Sequence, residues 1–111
     1  MEGQRTAKEF LLKNGYEILG ENYRLRSSEI DIIAKHGGFT VFVEVKFRKG
    51  LSYGLPRESV GRQKQKRIIN AAMHYVASKQ LTEGDFRFDV VEVVKKDGKI
   101  YVNHLVDAFW I

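Results

Sequence analysis

The sequence of 111 residues contains no cysteine, only one proline (Pro56) and no long apolar run. The lack of cysteine excludes disulfide bonds, thiolate zinc sites and cysteine nucleophiles, and it fits a reducing compartment. No apolar stretch approaches the ~20 residues that a membrane-spanning helix needs. Residues 1–8 are polar and charged, with no apolar signal-peptide core after them. These absences predict a cytoplasmic protein that does not enter a membrane.

The composition is that of a globular protein, because 43% of the residues are hydrophobic and 30% are charged. This apolar content excludes wholesale disorder, and the length predicts one domain over residues 1–111. The formal net charge is +5. A basic balance favours a polyanionic partner, most often nucleic acid or an anionic membrane, although many basic proteins bind neither.

Glycines and hydrophobic periodicity divide the chain into elements in the order α-β-β-β-α-β-β. Helices are predicted over residues 4–14 and 57–79, the second opening after Pro56. Strands are predicted over residues 16–25, 29–35, 39–48, 86–94 and 100–105. A bulge or bend is expected near Gly20 and Asn22. This order predicts an α/β fold in which helices flank a mixed β-sheet.

The second and third strands are joined by Gly37-Gly38, which predicts a two-residue hairpin turn. Alternation outward from this turn predicts an apolar face with the facing pairs Ala34–Val41, Ile32–Val43 and Ile30–Val45. The other face then carries the pairs Ile33–Phe42, Asp31–Glu44 and Glu29–Lys46. The hairpin is the part of the sequence that points to chemistry, because it sets two carboxylates opposite each other.

In this register the Cβ atoms of Asp31 and Glu44 are about 4.5–5.5 Å apart. Two like charges at that distance repel, so the pair is expected to have a cation beside it. Lys46 is one candidate, and Mg²⁺, which prefers carboxylate oxygens, is the other. The alternative is a solvated ladder of charges on an exposed sheet face, against which the apolar neighbours Ile33 and Phe42 argue.

Asp31 followed by Glu44-Val45-Lys46 resembles the D-(x)n-E-x-K signature of the PD-(D/E)XK nucleases. These are restriction-endonuclease-like phosphodiesterases with an αβββαβ core, and they include Holliday-junction resolvases. Nearly the whole chain is similar to the YraN-type family of uncharacterised bacterial proteins. The resemblance rests on residues 22–24, 28–34, 41–48, 54–56 and 87–91, and on the helix that carries Lys64. Ser28 stands where that family usually has glycine.

The resemblance implies hydrolysis of phosphodiester bonds in structured DNA with Mg²⁺ or Mn²⁺ and no organic cofactor. Asp31 and Glu44 would hold the metal, Lys46 would orient the attacking water, and Glu29 would support Lys46. Gln4 stands where the family usually has a metal-binding glutamate, so it is the third expected ligand, with a neutral oxygen. The lost charge keeps an alternative open, a nucleic-acid-binding module with a degenerate nuclease site. The resemblance also implies a homodimer.

A dense basic cluster follows the third strand and continues into the second helix. We expect it to bind phosphates, with one tyrosine that either stacks on a base or packs. The expected nucleic-acid-binding residues are Arg48, Lys49, Tyr53, Arg57, Arg62, Lys64, Lys66 and Arg67. The alternatives are a solvated helix face and, for Lys64, a stem packed on the core. A third hypothesis is a structural or adaptor domain in which the carboxylates form only a salt network.

Overall fold

A computed structural model describes residues 2–49, 60–81 and 84–110. Its elements are α1 Glu2–Lys13, β1 Glu17–Arg24, β2 Glu29–His36, β3 Phe39–Lys49, α2 Arg62–Ser78, β4 Asp85–Lys96 and β5 Lys99–Phe109. The order is the predicted α-β-β-β-α-β-β, so the α/β fold class is confirmed. The expectations for Tyr53, Pro56 and Arg57 lie outside the described residues.

The five strands form one mixed sheet in the order β1-β2-β3-β4-β5. Neighbours are antiparallel except β3 and β4, which are parallel. Parallel neighbours need a crossover instead of a tight turn, and α2 lies in the chain between them.

The two helices cover opposite faces of the sheet. Successive side chains of a strand point to opposite faces, so each helix contacts a different set of strand residues. Ala7 and Leu11 of α1 pack with Val41 and Val43 of β3. On the other face, α2 packs on Phe42, Phe88 and Val90 through Ile68, Ala71 and Ala72. Residues of opposite parity on β3 therefore face different helices, and Glu44 belongs to the face that carries α2. In the described ranges, no helix is long and apolar enough to cross a membrane.

The second helix was predicted to begin near residue 57, but α2 begins at Arg62. Of the residues before it, Val60 and Gly61 are described, and neither is helical. Val60 lies in a bend, and Gly61 is the N-cap residue with extended backbone angles (φ −69°, ψ 166°). Val60 continues the apolar spacing of the helix, yet it is buried from a non-helical position. Glycine has a low helix propensity, which favours a boundary at this point.

Along β2 the buried side chains change from one face of the sheet to the other between Ile32 and Ile30. The expected bulge in β1 is confirmed, with a register shift between Ile18 and Gly20. Further along, Asn22 has a positive φ of 52°. Ile32 packs with the α1 cluster, whereas Ile30, two residues away, packs with the α2 cluster. The prediction that Ile30 shares a face with Ile32 is therefore wrong, and Tyr23, the partner of Ile30 on β1, also packs with the α2 cluster.

Candidate metal and nucleic-acid site

The site lies where β2 separates from β3. The predicted hairpin register is confirmed from His36 opposite Phe39 to Ile32 opposite Val43, and the paired register ends there. Beyond it, the backbone N–H of Val45 donates to Oδ2 of Asp31 over 2.8 Å. The Asp31 carboxylate thus accepts a hydrogen bond that, in a regular strand pair, a backbone carbonyl of β2 would accept. This bond fixes the Asp31 side chain against β3.

The carboxyl groups of Asp31 and Glu44 meet although their residues are not paired in the ladder. Glu44 is buried, with 4% of its surface exposed. Burial, a hydrogen bond to Glu44 and the negative charge of Glu44 raise the pKa of Asp31 to about 7. The Val45 N–H and the charge of Lys64 act in the opposite direction. Near neutral pH the pair therefore holds on to one proton when no further cation is present.

The cation that faces this pair comes from α2. Nζ of Lys64 lies 3.2 Å from Oε2 of Glu44. Lys46, one of the two cations that the sequence offered for this pair, is half-buried and forms no ion pair with the described residues. Val45 and Phe47 pack with the α1 cluster, so alternation puts Lys46 on the same face of β3 as Glu44.

Gln4 and Glu29 also lie close to Asp31. Nε2 of Gln4 donates to the backbone carbonyl of Asp31 and to Glu21, each over 3.3 Å. Glu29 forms an ion pair of 3.1 Å with Nε of Arg24, its neighbour on β1, and its predicted pairing with Lys46 does not form. A depression of about 360 Å³ is lined by Gln4, Asn22, Arg24, Glu29 and Asp31.

The oxygen donors of this site suit Mg²⁺ or Mn²⁺ and not zinc. Carboxylate oxygens of Asp31 and Glu44, with the amide oxygen of Gln4, are hard ligands. The described ranges contain no cluster of three or more His, Cys, Asp or Glu side chains that could hold a metal. Two carboxylates nevertheless suffice for Mg²⁺, which typically completes its shell with water and substrate phosphates.

The basic residues expected to bind nucleic acid differ in their exposure and in their ion pairs. Nε of Arg48 lies 2.9 Å from Oε2 of the buried Glu92, so this guanidinium is held against β4. Lys49 is exposed at the end of β3. The described part of α2 exposes its predicted cations, which are Arg62, Lys64, Lys66 and Arg67.

A cleft of about 390 Å³ between α2 and the turn from β1 to β2 was missed by the sequence analysis. Its lining residues are Arg24, Leu25, Arg26, Ser27, Ser28, Glu29, Lys64, Arg67 and Ile68. The backbone N–H of Leu25 donates to the carbonyl of Ser28 over 2.8 Å and closes the turn. The basic and polar run at residues 24–28 was the available signal, but its position opposite α2 depends on the tertiary fold.

A second buried carboxylate, Asp89, lies on the α1 side of the sheet. It accepts two hydrogen bonds from Arg87 (2.9 and 3.0 Å), one from the backbone N–H of Asp107 (3.0 Å), and pairs with Nε2 of His104 (2.7 Å). Burial alone would raise the pKa of Asp89, but the contacts with His104 and Arg87 lower it below its usual value. His104 is therefore part of a buried polar network that joins β4 and β5.

Comparison with known proteins gives a family but no activity. The uncharacterised protein family UPF0102 matches residues 3–93. A UPF0102 protein of Alkaliphilus metalliredigens is 49% identical over 104 residues, which cover 92% of this chain and 91% of the relative. A UPF0102 protein of Clostridioides difficile is 44% identical over 107 residues, with 96% and 92% covered. One from Symbiobacterium thermophilum is 45% identical over 108 residues, again with 96% and 92% covered. The chain therefore belongs to the uncharacterised family UPF0102, which is the YraN type that the sequence resembles.

Proposed function

We propose that this protein is a metal-dependent nuclease that hydrolyses phosphodiester bonds in structured DNA. The observation that carries the proposal is the meeting of Asp31 and Glu44, one fixed by the Val45 N–H and the other buried. Such a pair is costly for an apo protein, as the pKa of about 7 for Asp31 indicates. A divalent cation would neutralise both carboxylates at once.

Asp31 and Glu44 would hold Mg²⁺ or Mn²⁺, with the amide oxygen of Gln4 as a neutral third donor. When bound, the metal supplies polarisation of the phosphate, a lowered pKa of a coordinated water and compensation of developing charge. The Val45 N–H keeps Asp31 in one orientation, which lowers the entropy cost of assembling the ligands. Glu29 holds Arg24 at the rim of the same depression.

Lys46 would act on the reacting phosphate directly. It lies two residues from Glu44 on the same face of β3, and its ammonium is not committed to an ion pair with the described residues. A positioned ammonium orients the attacking water and stabilises negative charge that builds up on the phosphate oxygens in the transition state. This role predicts loss of turnover, with substrate binding largely kept, when Lys46 is replaced.

The second candidate function is a nucleic-acid-binding module that does not hydrolyse its ligand. The ion pair between Lys64 and Glu44 favours it, because an ammonium already stands next to the buried carboxylate. The neutral Gln4 points the same way. Under this alternative Lys64 takes the place of the metal, and DNA binding persists in EDTA with no cleavage in any metal.

Cleavage of labelled DNA separates the two candidates. Wild type, Asp31→Asn and Lys46→Met would be incubated with duplex, flap and four-way-junction DNA in Mg²⁺, Mn²⁺ or EDTA. We expect metal-dependent cleavage by wild type and a fall of roughly 10²-fold or more in either variant, the scale of removing one group that stabilises the transition state. Lys35→Ala, at the far end of the β2–β3 hairpin, is the control for charge. Cleavage that survives both site substitutions would refute the assignment.

The homodimer implied by the resemblance stays a prediction, and sedimentation of the purified protein tests it.

A further inference from the structure

The cleft between α2 and the β1–β2 turn combines several cations with a buried hydroxyl that has no partner among the described residues. Arg24 and Arg26 approach it from the turn, and Lys64 and Arg67 approach it from α2. Ser28 also lines it. This serine is 9% exposed, and its Oγ finds no hydrogen-bond partner in the part of the chain that is described. A buried hydroxyl without a partner costs free energy, and a phosphate oxygen in the cleft would supply the missing acceptor.

The size of the cleft limits what it can accept. A volume of about 390 Å³ lies within the range of pockets that hold one small ligand, roughly 300–1,000 Å³. One nucleotide unit of a single strand is a ligand of this size. The described residues that line the cleft include no aromatic side chain, so none of them offers a ring for base stacking. The cleft is therefore suited to the charged backbone of a single strand and not to reading bases.

The cleft adjoins the carboxylate depression and shares its wall. Arg24 and Glu29, joined by their 3.1 Å ion pair, line both cavities. Lys64 lines the cleft while its Nζ contacts Glu44. A strand lying in the cleft would therefore bring its next phosphate toward Asp31 and Glu44.

We propose that this cleft binds the sugar–phosphate backbone of an unpaired nucleic-acid strand next to the carboxylate site, so that DNA with an unpaired segment at the cleavage point is the preferred substrate. The inference rests on the proposed function, because it names the substrate of that site. Arg26 and Arg67 are the cations to test, since both are exposed and neither takes part in the Arg24–Glu29 or Lys64–Glu44 pairs.

Fluorescence anisotropy with a labelled oligothymidine strand and a blunt duplex of equal length tests the proposal in EDTA at several salt concentrations. The variant is Arg26→Ala/Arg67→Ala. The matched control is Lys35→Ala/Lys79→Ala, which removes the same charge from the opposite end of the hairpin and from the C-cap position of α2. We expect the cleft variant to bind the single strand about 10-fold more weakly. The slope of log K against log salt should fall by about 1.4, since each phosphate contact on a single strand contributes about 0.7. The control should keep the wild-type slope, and Ser28→Ala should weaken binding without changing the slope.

Equal losses in the cleft variant and the control would overturn the proposal, because they would show only an effect of net charge. An equal loss for the blunt duplex would overturn the assignment to an unpaired strand. Inorganic phosphate that raises the Tm of wild type as much as the oligonucleotide does would assign the cleft to a small phosphate ligand instead.

Binding in EDTA does not depend on hydrolysis, so the two claims can fail separately. Metal-dependent cleavage of flap DNA by the cleft variant at the wild-type rate would overturn the cleft assignment and leave the nuclease intact. Binding through the cleft with no cleavage by wild type in any metal would support the cleft and overturn the hydrolysis.

Discussion

Replacing Asp31 by asparagine is expected to stabilise the metal-free protein above neutral pH. Burial and Glu44 raise the pKa of Asp31 from 3.8 to about 7, so the ionised carboxylate is unfavourable in the folded state. An asparagine keeps an oxygen that can accept the Val45 N–H. Its amide can donate to Glu44, as the protonated carboxyl of Asp31 does. Asp31→Asn is therefore a close mimic of the protonated wild type.

The pH range and the size of this stability difference follow from the unfolded and folded pKa values of Asp31. Between about pH 4 and pH 7 the unfolded chain releases a proton from residue 31 that the folded protein retains, so wild type loses stability as the pH rises through the folded pKa. The two pKa values differ by about 3, which at about 1.4 kcal/mol for each unit gives an upper limit of ~4 kcal/mol. Asp31 is only half-buried, and solvent screens part of this energy, so we expect ~2 kcal/mol.

Urea denaturation of wild type and Asp31→Asn in EDTA measures the effect. The free energies of unfolding should nearly coincide at about pH 4 and differ by ~2 kcal/mol in favour of the variant at about pH 8. Asp85→Asn, at an exposed position of β4, is the control. The difference between its free energy of unfolding and that of wild type should not change between about pH 4 and about pH 8. A variant that is less stable than wild type at about pH 8 would refute the reasoning, because it would show that the Lys64 ion pair outweighs the repulsion. That result would favour a salt network over a metal site.

Two further predictions concern the metal and the other buried carboxylate. Saturating Mg²⁺ or Mn²⁺, at about 100 times its Kd, should stabilise wild type by about 2.7 kcal/mol and leave Asp31→Asn nearly unchanged, as differential scanning fluorimetry can measure. A stabilisation of the variant equal to that of wild type would place the metal elsewhere. Asp89→Ala should cost about 3–5 kcal/mol in urea denaturation, because it leaves the Arg87 guanidinium buried without its partner. The lowered pKa of Asp89 means that this contribution is present above pH 3.8 and is lost as the pH falls through the lower folded value, so a loss below ~1 kcal/mol near neutrality would contradict the account.

The elements and the hairpin register were predictable from the sequence because local chemistry decides them. Double glycine at Gly37-Gly38 selects the turn, and the turn then fixes Ile32 opposite Val43. The bulge near Gly20 followed from the same kind of local signal. Extending that register outward predicted that Asp31 and Glu44 meet, although the paired ladder itself ends at Ile32 opposite Val43.

The parts that the sequence did not give depend on contacts between distant residues. Ile30 packs on the opposite face from Ile32, and nothing in the hairpin itself indicates this change. Lys64, and not Lys46, faces Glu44 because α2 crosses that end of the sheet. Arg26 joins the basic surface only through the position of its turn opposite α2.

The most direct test of the central claim is the cleavage of a labelled flap substrate by wild type and Asp31→Asn in Mn²⁺. The account predicts that wild type cleaves the substrate, that EDTA abolishes cleavage, and that Asp31→Asn binds the substrate without cutting it. Equal cleavage by the variant, or no cleavage by wild type on any substrate in either metal, would contradict it.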